Sequence, residues 1–166
     1  MKLLRVGQKG QEKPAALDKD GKIRDISSHI SDLNPDHLNF EAISKLQNAD
    51  LSSLPEISSS ERIGSCITKP GKFIAIGLNF SDHAAETGAE VPSEPITFMK
   101  ATSCINGPND DIEIVSGSKK LDWEVELGIV IGKHTKHISE AQSQDHILGY
   151  CFCLLYTSPS PRDLQG

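Results

Sequence analysis

Residues 121–130 read LDWEVELGIV. Side chains alternate across a strand, so Leu121, Trp123, Val125, Leu127 and Ile129, continued by Ile131, share one uninterrupted apolar face. The period predicts a long strand between Lys120 and Lys133 whose apolar side lies in a core. Asp122, Glu124, Glu126, Gly128 and Val130 occupy the other side, and no lysine or arginine is interleaved among the acids. Like charges along one strand face repel. Two readings follow: a polar face turned to water, or carboxylates gathered as hard oxygen ligands for magnesium, manganese or calcium.

Working outward, IEIV (112–115), ITFMK (96–100) and KFIAIG (72–77) are further strand candidates. Between the last two, Ser81 is placed to cap a short helix that Gly88 ends. Ser139 and Gln142 form a capping-box pattern for a helix running to about Ile147, which Gly149 stops. At the other end of the chain, residues 2–6, 14–18 and 22–26 read as strands, the last two joined in a tight hairpin across Asp20-Gly21. Phe40, Ile43 and Leu46 lie at helical spacing behind Asn39, a candidate cap. The serine-rich segment from Ala49 to Arg62 reads as a linker, with a domain boundary between Arg62 and Lys69. Many strands and few short helices, without regular strand–helix alternation, predict a mainly β, α+β fold.

The chain has 166 residues, a formal net charge of −6, 37% hydrophobic and 5% aromatic residues. This suits one domain with a sizeable core, or a small domain and part of a second. An acidic balance with scattered basic residues argues against nucleic acid and anionic membranes as partners. The first residues have no apolar run of signal-peptide length and no window is long enough for a membrane helix, so a cytoplasmic location is expected. Cys66, Cys104, Cys151 and Cys153 form no CxxC pair and read as buried thiols. Nucleotide-binding glycine motifs and the G-x-S-x-G elbow are absent from the sequence.

His83 and Glu86 stand three apart, on one side of the predicted helix. They are either a solvated pair or a general base whose imidazole a carboxylate orients. Lys100, closing a strand, meets water or an anionic substrate. His134 and His137 read as solvated.

GLNFSDHAAETG (77–88), EPITFMK (94–100) and DWEVELGIVIG (122–132) together resemble the fumarylacetoacetate hydrolase family in order and spacing. The opening residues resemble the amino-terminal region of bacterial members described as ureidoglycolate lyases and diketo-deoxy-sugar-acid hydrolases. Similarity extends over about residues 1–153. The resemblance implies a small N-terminal β/α domain (1–66) and a β-roll-like catalytic domain beginning at 67–153, in a homodimer that takes Mg2+ or Mn2+ and a small acidic substrate. It implies Glu124 and Glu126 as metal ligands, His83 and Glu86 as a water-activating pair, and Lys100 near the substrate. Such a site cleaves a C–C bond in a diketo or enol acid. A ureidoglycolate lyase releasing urea is the alternative within enzymes, and a non-catalytic interaction module is the alternative outside them.

One position departs from the pattern. The family's third metal-binding acid aligns with position 155, where this chain has Leu155. The shift to serine, proline and arginine that follows leads us to expect a divergent, non-native or disordered tail over 154–166, a catalytic domain whose second half lies beyond the chain, and impaired activity.

Overall fold

The computed structural model describes residues 1–157. Strands β1 (Leu3–Val6), β2 (Lys13–Leu17), β3 (Ile23–Asp25) and β4 (Glu56–Ile57) form one antiparallel sheet in chain order. The β2–β3 connection is longer than a tight hairpin, because Asp18 organises it. Its carboxylate accepts the backbone N–H groups of Asp20 and Lys22, both at 2.9 Å, and the Arg24 Nε–H at 2.7 Å. Gly21 supplies the positive φ of 78° that closes the turn.

Helix α1 (Phe40–Gln47) starts at Asn39, whose side chain accepts the Ala42 N–H at 2.9 Å. Its Leu46 is fully buried with Ala16, Ile26, Ile30, Leu33 and Leu38. A second buried group, Val6, Ala15 and Ile23, lies on the same sheet. Phe40, at the start of the helix, is exposed, and the Lys133 ammonium sits 5.6 Å from its ring centroid. The segment expected as a linker is also structured. A 3₁₀ turn at Leu51–Ser53 and strand β4 bring Leu51, Leu54 and Ile57 against the two buried groups. Its serines and Asp50 satisfy turn backbone, which polar composition alone disguises as a linker.

Strands β5 (Phe73–Gly77) and β6 (Ile96–Lys100) pair antiparallel around helix α2 (Ser81–Thr87). Phe80, not Ser81, holds the cap position of α2, and no side chain caps it. Gly88, at φ 67°, ends the helix as expected. Strands β7 (Asp122–Ile131) and β8 (Ile147–Thr157) form a second antiparallel ribbon. The segment between them is 3₁₀ (Glu140–His146) rather than α-helical. Ser139 opens it, donating its N–H to Gln142 Oε1 at 3.0 Å. IEIV at 112–115 forms no strand. Its apolar side chains are exposed and no neighbouring strand supplies a ladder among the described residues.

The apolar face of β7 corrects the expectation of a core. Trp123, Val125, Leu127, Ile129 and Ile131 are all exposed, as are Tyr150, Phe152, Leu154 and Tyr156 opposite them on β8. Among the described residues, the buried hydrophobic side chains come from residues 6–46, with Ala84 on α2 the single addition. Alternation reveals which residues share a face, but the element that covers it must come from elsewhere. Residues 154–157 of the expected divergent tail continue β8 in register with β7, and 158–166 lie outside the described residues. No helix among the described residues is long and apolar enough to cross a membrane.

A chain of charges ties distant segments together. Arg5, buried, donates to Asp32 at 2.7 and 3.2 Å and to Glu12 at 3.4 Å. Arg62 donates to Glu12 at 2.9 Å, to the Gly7 carbonyl at 3.1 Å, and through two nitrogens to Asp110. The Arg62 guanidinium beside Asp110 lowers that carboxyl from 3.8 to about 2.

Two measurements check this distribution of stability. Leu46→Ala, at a fully buried site, is expected to cost about 2–5 kcal/mol in urea unfolding. Phe152→Ser, at a side chain 91% exposed, should change stability by no more than about 0.5 kcal/mol. Because Asp110 is depressed when folded, its contribution is present above pH 3.8 and is lost as pH falls toward about 2. Arg62→Ala removes it, so the acid-unfolding midpoint followed by circular dichroism moves to higher pH.

Candidate functional site

Residues paired across an antiparallel ladder point to the same face of the sheet. The β7–β8 register sets Glu124 opposite Leu155, Glu126 opposite Cys153 and Gly128 opposite Cys151. The two glutamates therefore share a face with Leu155 and two thiols, while the apolar residues of both strands share the other. Thr157 Oγ1 donates to Glu124 Oε1 at 2.8 Å across the ribbon. Glu126 is half-buried. Asp122 accepts the N–H of neighbouring Trp123 at 2.9 Å.

Leu155, where the resemblance leads one to expect a third acid, lies directly across from Glu124. A carboxylate there would project onto the glutamate face, whereas leucine offers no lone pair. The residues present thus fit a hard divalent cation in donor type and fall short in donor number. Among the described residues, no three of His, Cys, Asp and Glu cluster so as to hold a metal ion.

The other candidates lie on different elements. His83 and Glu86 sit on one side of α2, both exposed, with Ala84 as the buried anchor of that helix. Leu78, on the turn from β5 into α2, adopts φ 48°, a left-handed conformation that costs a bulky residue roughly 1–2 kcal/mol. Strain of this kind gathers at functional turns. Lys100, the last residue of β6, is half-buried and places its ammonium 5.4 Å from the Phe98 ring centroid. No cluster of three potential ligands unites the α2 pair with Glu124 and Glu126 among the described residues.

Sequence reading missed a group of thiols. Cys66, from the segment following β4, and Cys151 and Cys153, on β8, are free thiols whose ionisations are linked. Hydrogen bonding by Cys151 lowers the Cys66 thiol from 9.0 to about 7. Cys66 and burial push Cys151 up, and burial, Cys66 and Glu126 push Cys153 up. The one local signal was the two-residue spacing of Cys151 and Cys153, which puts both on one strand face. Contrary to expectation, Cys104 is exposed and the other three cysteines are only partly buried. A shallow cleft of about 330 Å³ runs between residues 65–69 and the 102–105 turn, and none of the five candidate site residues lines it.

Residues 72–166 match the profile of the family described as fumarylacetoacetate (FAA) hydrolase C-terminal. A Burkholderia ambifaria protein named "Putative hydrolase" is 55% identical over 151 residues, covering 91% of this chain and 54% of its own length. A Burkholderia lata protein with the same description is 54% identical over equal shares. The chain thus spans about half the length of these curated relatives. Among solved structures, fumarylacetoacetate hydrolase from Exiguobacterium antarcticum is 27% identical at TM-score 0.75, covering 99% of this chain and 58% of that one. A 5-carboxymethyl-2-hydroxymuconate delta-isomerase from Mycobacterium smegmatis is 26% identical at TM-score 0.66, covering 99% and 57%. Maleylpyruvate hydrolase from Sphingobium, crystallised with manganese and pyruvate, shares the fold at TM-score 0.73 and 23% identity, covering 95% and 59%.

Leu155→Asp supplies a third carboxylate opposite Glu124. Calorimetric titration with Mn2+ is expected to find binding of roughly 10⁻⁴ M or weaker in the chain as it stands, and tightening by about tenfold or more in Leu155→Asp.

Proposed function

Because the chain belongs to the fumarylacetoacetate hydrolase family, we propose that it derives from a divalent-cation-dependent hydrolase cleaving a C–C bond in a small diketo or enol acid. One observation carries the reading: the β7–β8 register, which sets Glu124 and Glu126 on one face with position 155 across from them. In this reading residues 1–66 are a supporting domain and 67–153 carry the site. The full enzyme acts in the cytoplasm as a homodimer.

Glu124 and Glu126 would hold Mg2+ or Mn2+, and the manganese in the Sphingobium hydrolase of the same fold supports that ligand class. When bound, such a cation stabilises the negative charge that develops on a diketo acid's oxygens as the C–C bond breaks. The chain's own residues supply the rest. His83 takes a proton from the attacking water at an imidazole nitrogen, and Glu86 steadies the resulting imidazolium. Lys100 offers an ammonium to the substrate carboxylate. The same charge-stabilising site serves isomerisation, a second reading favoured by the likeness to the Mycobacterium smegmatis isomerase.

The test is hydrolysis of a simple acylpyruvate in Mn2+, followed by loss of the enol absorbance. The expected result is a slow rate that EDTA abolishes, that Glu126→Gln lowers roughly 10–100-fold, and that Leu155→Asp raises. An unchanged rate in the Glu124→Gln, Glu126→Gln double variant would overturn the reading. Product analysis separates hydrolysis from isomerisation, and urea release from ureidoglycolate in a parallel assay would favour the lyase.

A further inference from the structure

Nine large apolar side chains, from Trp123 to Ile131 on β7 and from Tyr150 to Tyr156 on β8, are exposed on one face of the ribbon. No acid or base interrupts them, because Asp122, Glu124 and Glu126 alternate to the other side. They present on the order of 800 Å² of apolar surface, beyond the roughly 300–600 Å² of the largest patch on a typical monomer. The ribbon is seated at its turn end. A Cβ at Gly132 would come within 2.7 Å of the Leu148 Cβ and 2.8 Å of the Phe40 ring, and Leu148 packs on the main buried group. That seat leaves the apolar face clear.

We propose that this face is where a second copy of the chain docks, the two ribbons closing into a two-layer sandwich. A standard interface takes about 800 Å² from each partner, which is what one face offers. The face is also complementary to itself. A two-fold axis lying between the faces, across the strands at the Leu127–Phe152 pair, sets Trp123 of one ribbon over Ile131 of the other copy and Tyr150 over Leu154. Large side chains then meet smaller ones. Phe152, 91% exposed in the single chain, meets its own copy near the centre, where binding energy concentrates. With no charge on the face, two copies of an acidic chain meet there without burying like charges. Each ribbon, marginal by itself, gains the covered side it lacks. Glu124 and Glu126 stay on the outer sides of the sandwich.

Trp123 is the chain's one tryptophan, so its fluorescence reads this face alone. The experiment follows the whole chain by analytical ultracentrifugation and tryptophan emission across a dilution series. Expected is a reversible monomer–dimer equilibrium in the micromolar range, with Trp123 emission shifted to the blue and shielded from acrylamide in the dimer. Phe152→Ser, at a side chain that the isolated fold does not need, should weaken association about 30-fold or more. Val91→Ser, at an exposed apolar side chain off the ribbon, should leave it unchanged. A chain that stays monomeric, one that forms only open-ended aggregates, or a dimer in which Trp123 is as exposed as in the monomer overturns the proposal, as does full association in Phe152→Ser. The dilution series on the unmutated chain decides the matter even if a variant does not fold. The proposal rests on the exposed face and not on the hydrolase reading, and neither metal nor substrate enters its test, so the two fail separately.

Discussion

The β7–β8 register is the constraint on which the other features of the site depend. Side chains alternate with a period of two, so a slip of one residue would exchange the faces of one strand against the other. Glu124 would lose position 155 as its partner, and Cys151 would lose the gap above Gly128. The observed pairing instead segregates the ribbon. Carboxylates, thiols and Thr157 lie on one side, and Trp123, Val125, Leu127, Phe152 and Leu154 on the other. Within the described chain that register rests mainly on the ladder itself, because the apolar side faces solvent. A two-stranded ribbon is marginal in water without a covered face. The stability that holds the molecule together is therefore located elsewhere.

It is located in the first sheet and in the charges around it. Arg5 and Arg62 share Glu12, and through it they join β1, the turn before β2, the segment after β4 and Asp110. The Glu12 carboxyl, though burial opposes its ionisation, is held below its usual range by its own backbone, by Arg62 and by Arg5. A half-buried carboxylate between two guanidiniums needs both to remain charged. The same network presents the 63–68 segment to β8, with Ile67 and Leu148 both packed on the main buried group. The placement of that segment thus follows from a core many residues away.

Several elements were legible because their signals are local. A compact apolar run marked β5, a short strand-like segment marked β6 and alternation marked β7, while Asn39 marked the start of α1 and Gly88 the end of α2. Helical spacing put His83 and Glu86 on one side of α2. What escaped depends on partners. IEIV has the composition of a strand and no ladder among the described residues. Ser81 has a capping side chain, yet the backbone enters α2 one residue earlier, through Leu78 and Phe80. The solvent exposure of Trp123 and Leu127 is a property of their neighbours, which periodicity does not reveal. For the candidate site, the glutamate pair was visible within one strand, but the residues set opposite it, Leu155 and Cys153, depend on the β7–β8 register.

The chemistry of the shared face follows from which donors stand opposite which. Glu124 faces a leucine and Glu126 faces a thiol. If Glu124 and Glu126 held a hard cation, the residues paired with them would add a leucine and a thiol, neither a hard oxygen donor. Cys153, pushed up by burial and by negative neighbours including Glu126, stays a neutral thiol and adds little to a hard ion's shell. Thr157 already donates its hydroxyl hydrogen to Glu124, so a cation there would compete with it for that oxygen. Both features would disfavour a cation at the glutamates. Among the thiols, Cys66 is shifted down, to about 7, while burial and their neighbours push Cys151 and Cys153 up. The face therefore divides into an oxygen-rich end at Glu124 and a sulfur-bearing end at Cys151 and Cys153.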